Sequence, residues 1–277
     1  MWRHYLEGKD PTVHSISGDV LVQKQVYSPQ LHNRRDVFVY LPPSYGRSHQ
    51  HYPVIYMHDG QNLFDHALSF AGEWEVDETM EALAEEGLEA IVVGLANLDK
   101  QRIHEYAPFD TQRFGKARGD AYGAFILETV KPMIDRDFRT LPDAAHTGIF
   151  GSSLGGLISL YLFFQYRQHF GLAGVMSPSL WFGSGVIVPY VVEAPYVPGK
   201  IYLDVGLGER LGWMERIKTD TATGMHSASV RSMRDILMTK GYRLDHNLLY
   251  IEDEEGIHNE ASWARRLPRA LRFLLRR

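Results

Sequence analysis

Gly151-Ser152-Ser153-Leu154-Gly155 spells G-x-S-x-G between an apolar run, His146 to Phe150, and a helix-like run, Leu157 to Gln168. That spacing suits covalent acyl chemistry. A serine on a sharp strand-to-helix turn is pushed into the open, and glycines two residues to either side remove side chains that would meet the backbone. Ser153 is therefore the candidate nucleophile, set at the positive end of a helix where an anion forming on an attacked carbonyl is stabilised. Ser152 would point into the fold. The plainer alternative is a glycine-rich helix start holding a buried serine, and the flanking strand-like and helix-like runs argue against it.

A serine hydroxyl is a weak nucleophile, so a base must stand within hydrogen-bond reach and an acid must hold that base in the right tautomer. Thirteen histidines compete for the role. His258 lies just past the last predicted strand and just before the terminal helix, whereas His146 falls in a strand and His49 and His51 in a polar loop. The acid should follow the penultimate strand, which places Glu209 after Ile201 to Val205. Asp204 lies inside that strand and reads as a buried structural carboxylate; Asp253 is a third choice on the same loop as His258. An oxyanion needs two backbone N–H donors. Leu154 would supply one and Gln61 the other, from His58-Asp59-Gly60-Gln61-Asn62-Leu63-Phe64-Asp65, with Gly60 letting the backbone approach the substrate. Without that context the stretch is a turn in which Asp59 and Asn62 bond to nearby backbone.

These residues need a scaffold that delivers them to one edge. From Pro53 onward, short apolar runs alternate with helix-like segments, the signature of parallel strands buried on both faces. The strand runs are Val54 to Met57, Ala90 to Leu95, His146 to Phe150, Leu172 to Met176, Ile201 to Val205 and Asn247 to Ile251. Helices are predicted over Glu75 to Glu86, Asp120 to Asp135, Leu157 to Gln168, Ser227 to Lys240 and Asn259 to Leu275, with Pro132 kinking the second or ending it early. Ahead of them, Val20 to Tyr27 and Arg35 to Leu41 read as antiparallel strands, the latter alternating Val37, Val39 and Leu41 against Asp36, Phe38 and Tyr40. The expected fold is α/β, of α/β-hydrolase order: a mostly parallel sheet of about eight strands, antiparallel at its N-terminal side, with helices on both faces. No repeat or linker divides the chain. A single domain over 1–277, with 1–18 as an N-terminal extension, is the expectation.

Composition narrows the chemistry. At 44% hydrophobic and 12% aromatic the chain can build a large core, and no cysteine means no disulfide, thiolate metal site or cysteine nucleophile. A net charge of −5 gives no pull toward polyanions, so no nucleic-acid partner is expected. The one basic stretch, Arg265-Arg266 through Arg276-Arg277, reads as a solvated helix face. Neither a signal peptide nor a run of membrane-spanning length is evident, so a cytoplasmic protein with no membrane partner is expected. The histidines lack ligand spacing, and neither a metal nor an organic cofactor is implied.

Taken together, Tyr56 to Phe64, Gly151 to Gly156, Met176-Ser177-Pro178-Ser179-Leu180-Trp181 and Gly256-Ile257-His258 resemble the putative-esterase family, over roughly residues 20 to 275. That family includes esterase D-like enzymes, feruloyl esterases, enterochelin esterases and mycolyltransferases. The resemblance implies Glu209, after Leu203-Asp204-Val205-Gly206, as the acid and Gln61 N–H as the second oxyanion donor. Glu105-Tyr106-Ala107-Pro108 is similar to an Arg/Glu-Tyr-Thr-Pro segment of the group, with Ala107 a departure. Trp181, Phe182 and Trp213 could line an acyl or aryl pocket, or pack. Asn97 could contact a polar substrate, as could Arg102, which otherwise reads as a solvated loop charge. The expected function is a serine carboxylic-ester hydrolase acting on a small-molecule ester. The alternatives are an acyltransferase to a sugar or alcohol and a catalytically silent binding module.

Overall fold

A computed structural model describes residues 1–209 and 220–276. Among these residues nine strands form one sheet in the order β1-β2-β3-β5-β4-β6-β7-β8-β9. They are β1 (Arg3–His4), β2 (Asp19–Ser28), β3 (Asn33–Leu41), β4 (Val54–His58), β5 (Ile91–Leu95), β6 (Thr147–Ser152), β7 (Leu172–Met176), β8 (Lys200–Gly206) and β9 (Leu248–Asp253). The first three and the β3–β5 contact are antiparallel; from β5 through β9 every neighbouring pair is parallel. The ninth strand, against about eight expected, is the two-residue β1, whose Arg3 and His4 pair with Val22 and Leu21. Such a stub carries no periodicity to read.

Residues 1–18 do more than extend the chain. Tyr5 Oη donates to Asp65 at 2.6 Å, His14 Nδ1 lies 2.6 Å from the same carboxylate, and Ser15 Oγ donates to Glu73 at 2.8 Å. The segment is thereby tied to the loop after β4.

The helices are α1 (Val76–Glu85), α2 (Arg102–Glu105), α3 (Gly119–Phe125), α4 (Lys131–Asp137), α5 (Leu154–Gln165), α6 (Phe182–Gly185), α7 (Ile187–Glu193), α8 (Asp220–Thr239) and α9 (Glu260–Leu275). The helix predicted over Asp120 to Asp135 is α3 and α4 joined by a π turn at Ile126–Val130, and Pro132 sits in the first turn of α4. A residue without an N–H is tolerated there because the wider turn has already broken the regular hydrogen-bond ladder.

Both faces of the sheet are covered. Val37, Val39 and Leu41 of β3 join one buried apolar cluster with Phe125, Ile126, Leu157 and Val230; Phe38 and Tyr40 join another with Trp74, Trp263, Leu267 and Leu271. The alternation in β3 thus divides its side chains between two cores. Gly174 of β7 faces Phe150, where a Cβ would lie 1.9 Å from the ring, so the glycine makes room for that phenylalanine. Parallel pairing also aligns the strand ends: Ser152 lies opposite Met176, Met176 opposite Asp204, and Gly206 opposite Asp253. The loops that leave those ends meet above one edge. Among the described residues, no helix is long and apolar enough to cross a membrane.

Candidate active site

Ser153 is the hinge between β6 and α5, at φ 57° and ψ −121°. A non-glycine residue in that region costs about 1–3 kcal/mol and persists only where its surroundings hold it. Here Ser153 N donates to Met176 O at 3.0 Å, while its carbonyl accepts from Leu157 N at 3.1 Å and Ser179 N at 2.9 Å. The side chain is left free of the helix cap, with Oγ 3.2 Å from Ser179 Oγ. Leu154 opens α5, so its N–H belongs to the first turn, whose donors have no intrahelical partner. Ser152 is buried as expected.

The glycines of the motif are not equivalent. A Cβ on Gly151 would lie 2.8 Å from His58 Cδ2 and 2.9 Å from Gly155 C, so that position requires glycine. On Gly155 it would come no nearer than 3.5 Å to any neighbour, an ordinary contact, whereas on Gly156 it would lie 2.8 Å from Met176 O. Helix and strand approach closely at Gly151, within the motif, and again at Gly156, one residue beyond it.

His258 Nδ1 stands 3.0 Å from Glu209 Oε2. The sequence order brings these two together because β8 and β9 are adjacent and parallel. Glu209 is 1% exposed. Its Oε1 accepts from Gly206 N at 2.9 Å and from Ser177 Oγ, and lies 3.4 Å from Arg266 Nη2. Ser177 Oγ already receives Trp263 Nε1 at 3.1 Å and Arg266 Nη2 at 2.7 Å, so its own proton is directed to Glu209. Burial alone would raise the Glu209 carboxyl, but the bonds from His226, His258 and Ser177 outweigh it and hold the group well below the usual carboxylate range.

His226 escaped the sequence reading. It places Nε2 3.1 Å from Glu209 Oε2, the atom His258 also meets. Its signal lay in α8, where His226, Val230, Met233 and Leu237 form a buried stripe at helical spacing. A helix begun at Ser227 starts one residue too late to include it.

Asp204 has the structural role expected of it. It is fully buried, 2.8 Å from Arg266 Nε, and accepts Ser177 N at 2.9 Å and Tyr202 Oη at 2.8 Å. Burial pushes its carboxyl up to about 6. Asp253 is occupied by Arg265 at 2.6 Å and Arg266 at 3.3 Å. The solvated reading of the basic stretch therefore fails at Arg266, which is 6% exposed and lies among Asp204, Glu209 and Asp253.

The loop after β4 begins with Asp59 at φ 56° and continues as a single 3-10 turn, Gly60–Asn62. Gly60 serves packing rather than access: a Cβ there would lie 2.6 Å from Gly94 C and 2.7 Å from Leu95 N of β5. Gln61 Oε1 accepts Asn97 N at 3.0 Å. Asp59 turns its carboxylate to other side chains instead of nearby backbone. It accepts Asn97 Nδ2 at 2.6 Å and both Arg102 Nε at 2.7 Å and Arg102 Nη2 at 2.8 Å. Arg102 is thus a bidentate anchor of this loop, not a solvated charge; it and Asn97 brace the turn that carries Gln61. Against burial, Arg102 keeps the Asp59 carboxyl below its ordinary value. His58 bonds through Nδ1 to Tyr122 Oη at 2.8 Å, and burial pushes its imidazole down to about 3. Glu105, in the Glu-Tyr-Ala-Pro segment, is fully buried against Arg35 Nη2 at 2.9 Å, and Tyr106 Oη accepts Asp59 N at 3.1 Å.

Of the expected pocket aromatics, Phe182 is 4% exposed and stacks on Phe114 at 5.0 Å, whereas Trp181 remains half-buried. Trp213 lies outside the described residues. Among the described residues, two groups of side chains gather donor atoms within 4.8 Å of one another, Glu209 with His226 and His258, and Glu73 with Asp77 and Glu78. In the first group those atoms already face each other at hydrogen-bond distance.

Comparison with known proteins identifies the family and the fold. A model of the family described as "Putative esterase" matches residues 28–274. The uncharacterized protein YbbA of Bacillus subtilis (strain 168) is 25% identical over 249 residues, 87% of this chain and 92% of the relative. An IroE-like serine hydrolase from Shewanella oneidensis superimposes with a TM-score of 0.69 at 19% identity, covering 92% of this chain and 79% of that one. The enterobactin esterase FES from Shigella flexneri gives a TM-score of 0.69 at 17% identity, covering 94% of this chain and 60% of that one. The shared architecture is the α/β-hydrolase fold.

Proposed function

The chain belongs to the family described as "Putative esterase", and from that premise we propose that it hydrolyses small carboxylic esters through an acyl-enzyme on Ser153. In this reading Ser153 Oγ attacks the ester carbonyl while His258 Nε2 takes its proton. Glu209, bonded to His258 Nδ1, keeps the tautomer that leaves Nε2 free and stabilises the imidazolium. Backbone N–H groups of Leu154 and Gln61 hold the oxyanion, and His258 returns the proton to the departing alkoxide. Water, deprotonated by His258, then attacks the acyl carbonyl, and His258 returns that proton to Ser153 Oγ as the acyl-serine bond breaks and the acid leaves.

The observation that carries the reading is the coincidence, above one sheet edge, of a strained serine at a helix start with a histidine whose Nδ1 is fastened to a buried carboxylate. For attack, the Ser153 hydroxyl proton must turn to the imidazole, a move its 3.2 Å contact with Ser179 Oγ permits with Ser179 as the donor. Apo geometry of catalytic hydroxyls is often loose in this way.

The test pairs turnover with labelling. Purified protein should hydrolyse short-chain p-nitrophenyl esters and should be labelled at Ser153 by a fluorophosphonate. Ser153→Ala should lower kcat by roughly 10³-fold or more and abolish labelling. Full activity in that variant would overturn the assignment.

A further inference from the structure

The proposed machinery leaves one buried histidine beside it without a role. His226 is 2% exposed and meets the same oxygen of Glu209 as His258, at 3.1 and 3.0 Å, with ring centroids 6.1 Å apart and planes at 79°. We propose that His226 is a positioning residue for the Glu209–His258 pair, acting as a second donor to Glu209 Oε2. The kinetic part of this inference rests on the esterase reading, and its spectroscopic part does not.

A carboxylate oxygen offers two in-plane lone pairs. Glu209 Oε1 is held by Ser177, Gly206 and Arg266, which fixes the carboxylate plane. With one lone pair of Oε2 taken by His226, His258 is confined to the other, and its ring is steered to one orientation above the sheet edge. The tautomer follows from burial. Among the described residues His226 Nδ1 is buried with no hydrogen-bond partner, so a proton there would be stranded, whereas on Nε2 it meets the carboxylate. The second donor also draws charge from Glu209, so its removal strengthens the carboxylate's attraction for an imidazolium at His258.

Core packing does not account for a histidine here. The position continues the stripe Val230, Met233 and Leu237 on α8, where a leucine would bury more apolar surface without needing a partner. The other charged groups facing the pair are Asp204 from β8, Asp253 from β9, and Arg266 and Glu260 from α9. They are common to every variant at position 226, so a comparison among variants isolates the donor.

Glutamine places an amide nitrogen the same number of bonds from Cα as His226 Nε2. His226→Gln should therefore retain kcat within about threefold, whereas His226→Leu should lose about tenfold in kcat with KM little changed. In the leucine variant the acid limb of the kcat/KM profile should move up by about half a pH unit to one unit. NMR titration of His258 in isotope-labelled protein should move by the same amount with no substrate present. If the leucine variant does not fold, His226→Ala carries the comparison. Wild-type kinetics and an unmoved His258 titration in the leucine variant would overturn the inference, as would a glutamine variant as impaired as the leucine one. A wild-type protein that turns over no ester would overturn the esterase reading alone, because the NMR titration would still judge His226.

Discussion

At the scale of single residues, the pairing of Glu209 with His258 was legible because each type has few reasons to stand where it does. Ser153, Glu209 and His258 follow strand ends in the order the proposed chemistry requires, and the structure brings the last two within 3.0 Å. The reasons for individual glycines were not legible, since a motif does not say what each one faces. Gly155 has room for a methyl group and Gly156 does not. Gly155→Ala should leave stability unchanged or raise it by up to about 1 kcal/mol, through helix propensity. Gly156→Ala should cost about 1–3 kcal/mol by driving a Cβ onto the Met176 carbonyl. Urea denaturation of both variants checks the contrast, and equal losses would refute it. Arg102 and Arg266 were misread for one reason: an arginine in a loop or on a helix face looks solvated until the carboxylate that binds it, distant in sequence, is known.

At the scale of elements, the strands were read closely because apolar runs bounded by turns have little other use in a chain of this length. Helix starts were read less well. The helix after Ser153 begins at Leu154 rather than Leu157, since its first turn is glycine and carries no apolar periodicity. The start of α1 holds a feature that sequence hides altogether. Asp77 is fully buried beside Glu78, and Ser17 N donates to it at 2.6 Å. Burial first, then the bond shared with Glu78, pushes the Asp77 carboxyl up to about 9. An unfolded aspartate titrates near about 3.9. Between these values the native state binds the extra proton, so stability falls as pH rises toward 9. The melting temperature should drop by about 5 °C or more between pH 6 and pH 9. Asp77→Asn, which keeps an acceptor for Ser17 and supplies a fixed donor to Glu78, should flatten that slope; an undiminished slope would refute the account.

At the scale of the molecule, β8, β9 and α9 are fastened at one point. Arg266 reaches Asp204 in β8, Glu209 beyond it, and Asp253 at the end of β9, so the terminal helix is locked to the edge that carries the proposed chemistry. Arg266→Met should cost about 3–5 kcal/mol by stranding buried carboxylates. It should also lower ester turnover, because Glu209 and Ser177 lose a shared donor. Activity preserved alongside lost stability would separate the two roles. The architecture was readable from alternating β and α texture, but this convergence was not, because it depends on which strands become neighbours. One contact in the same knot has an optical consequence. Trp263 lies edge-on to His258, ring centroids 5.1 Å apart, with its indole fixed to Ser177. A protonated imidazole quenches a neighbouring indole, so emission from Trp263 should dim and recover as His258 gains and loses its proton, and the folded protein carries a fluorophore of its own for following the proposed base.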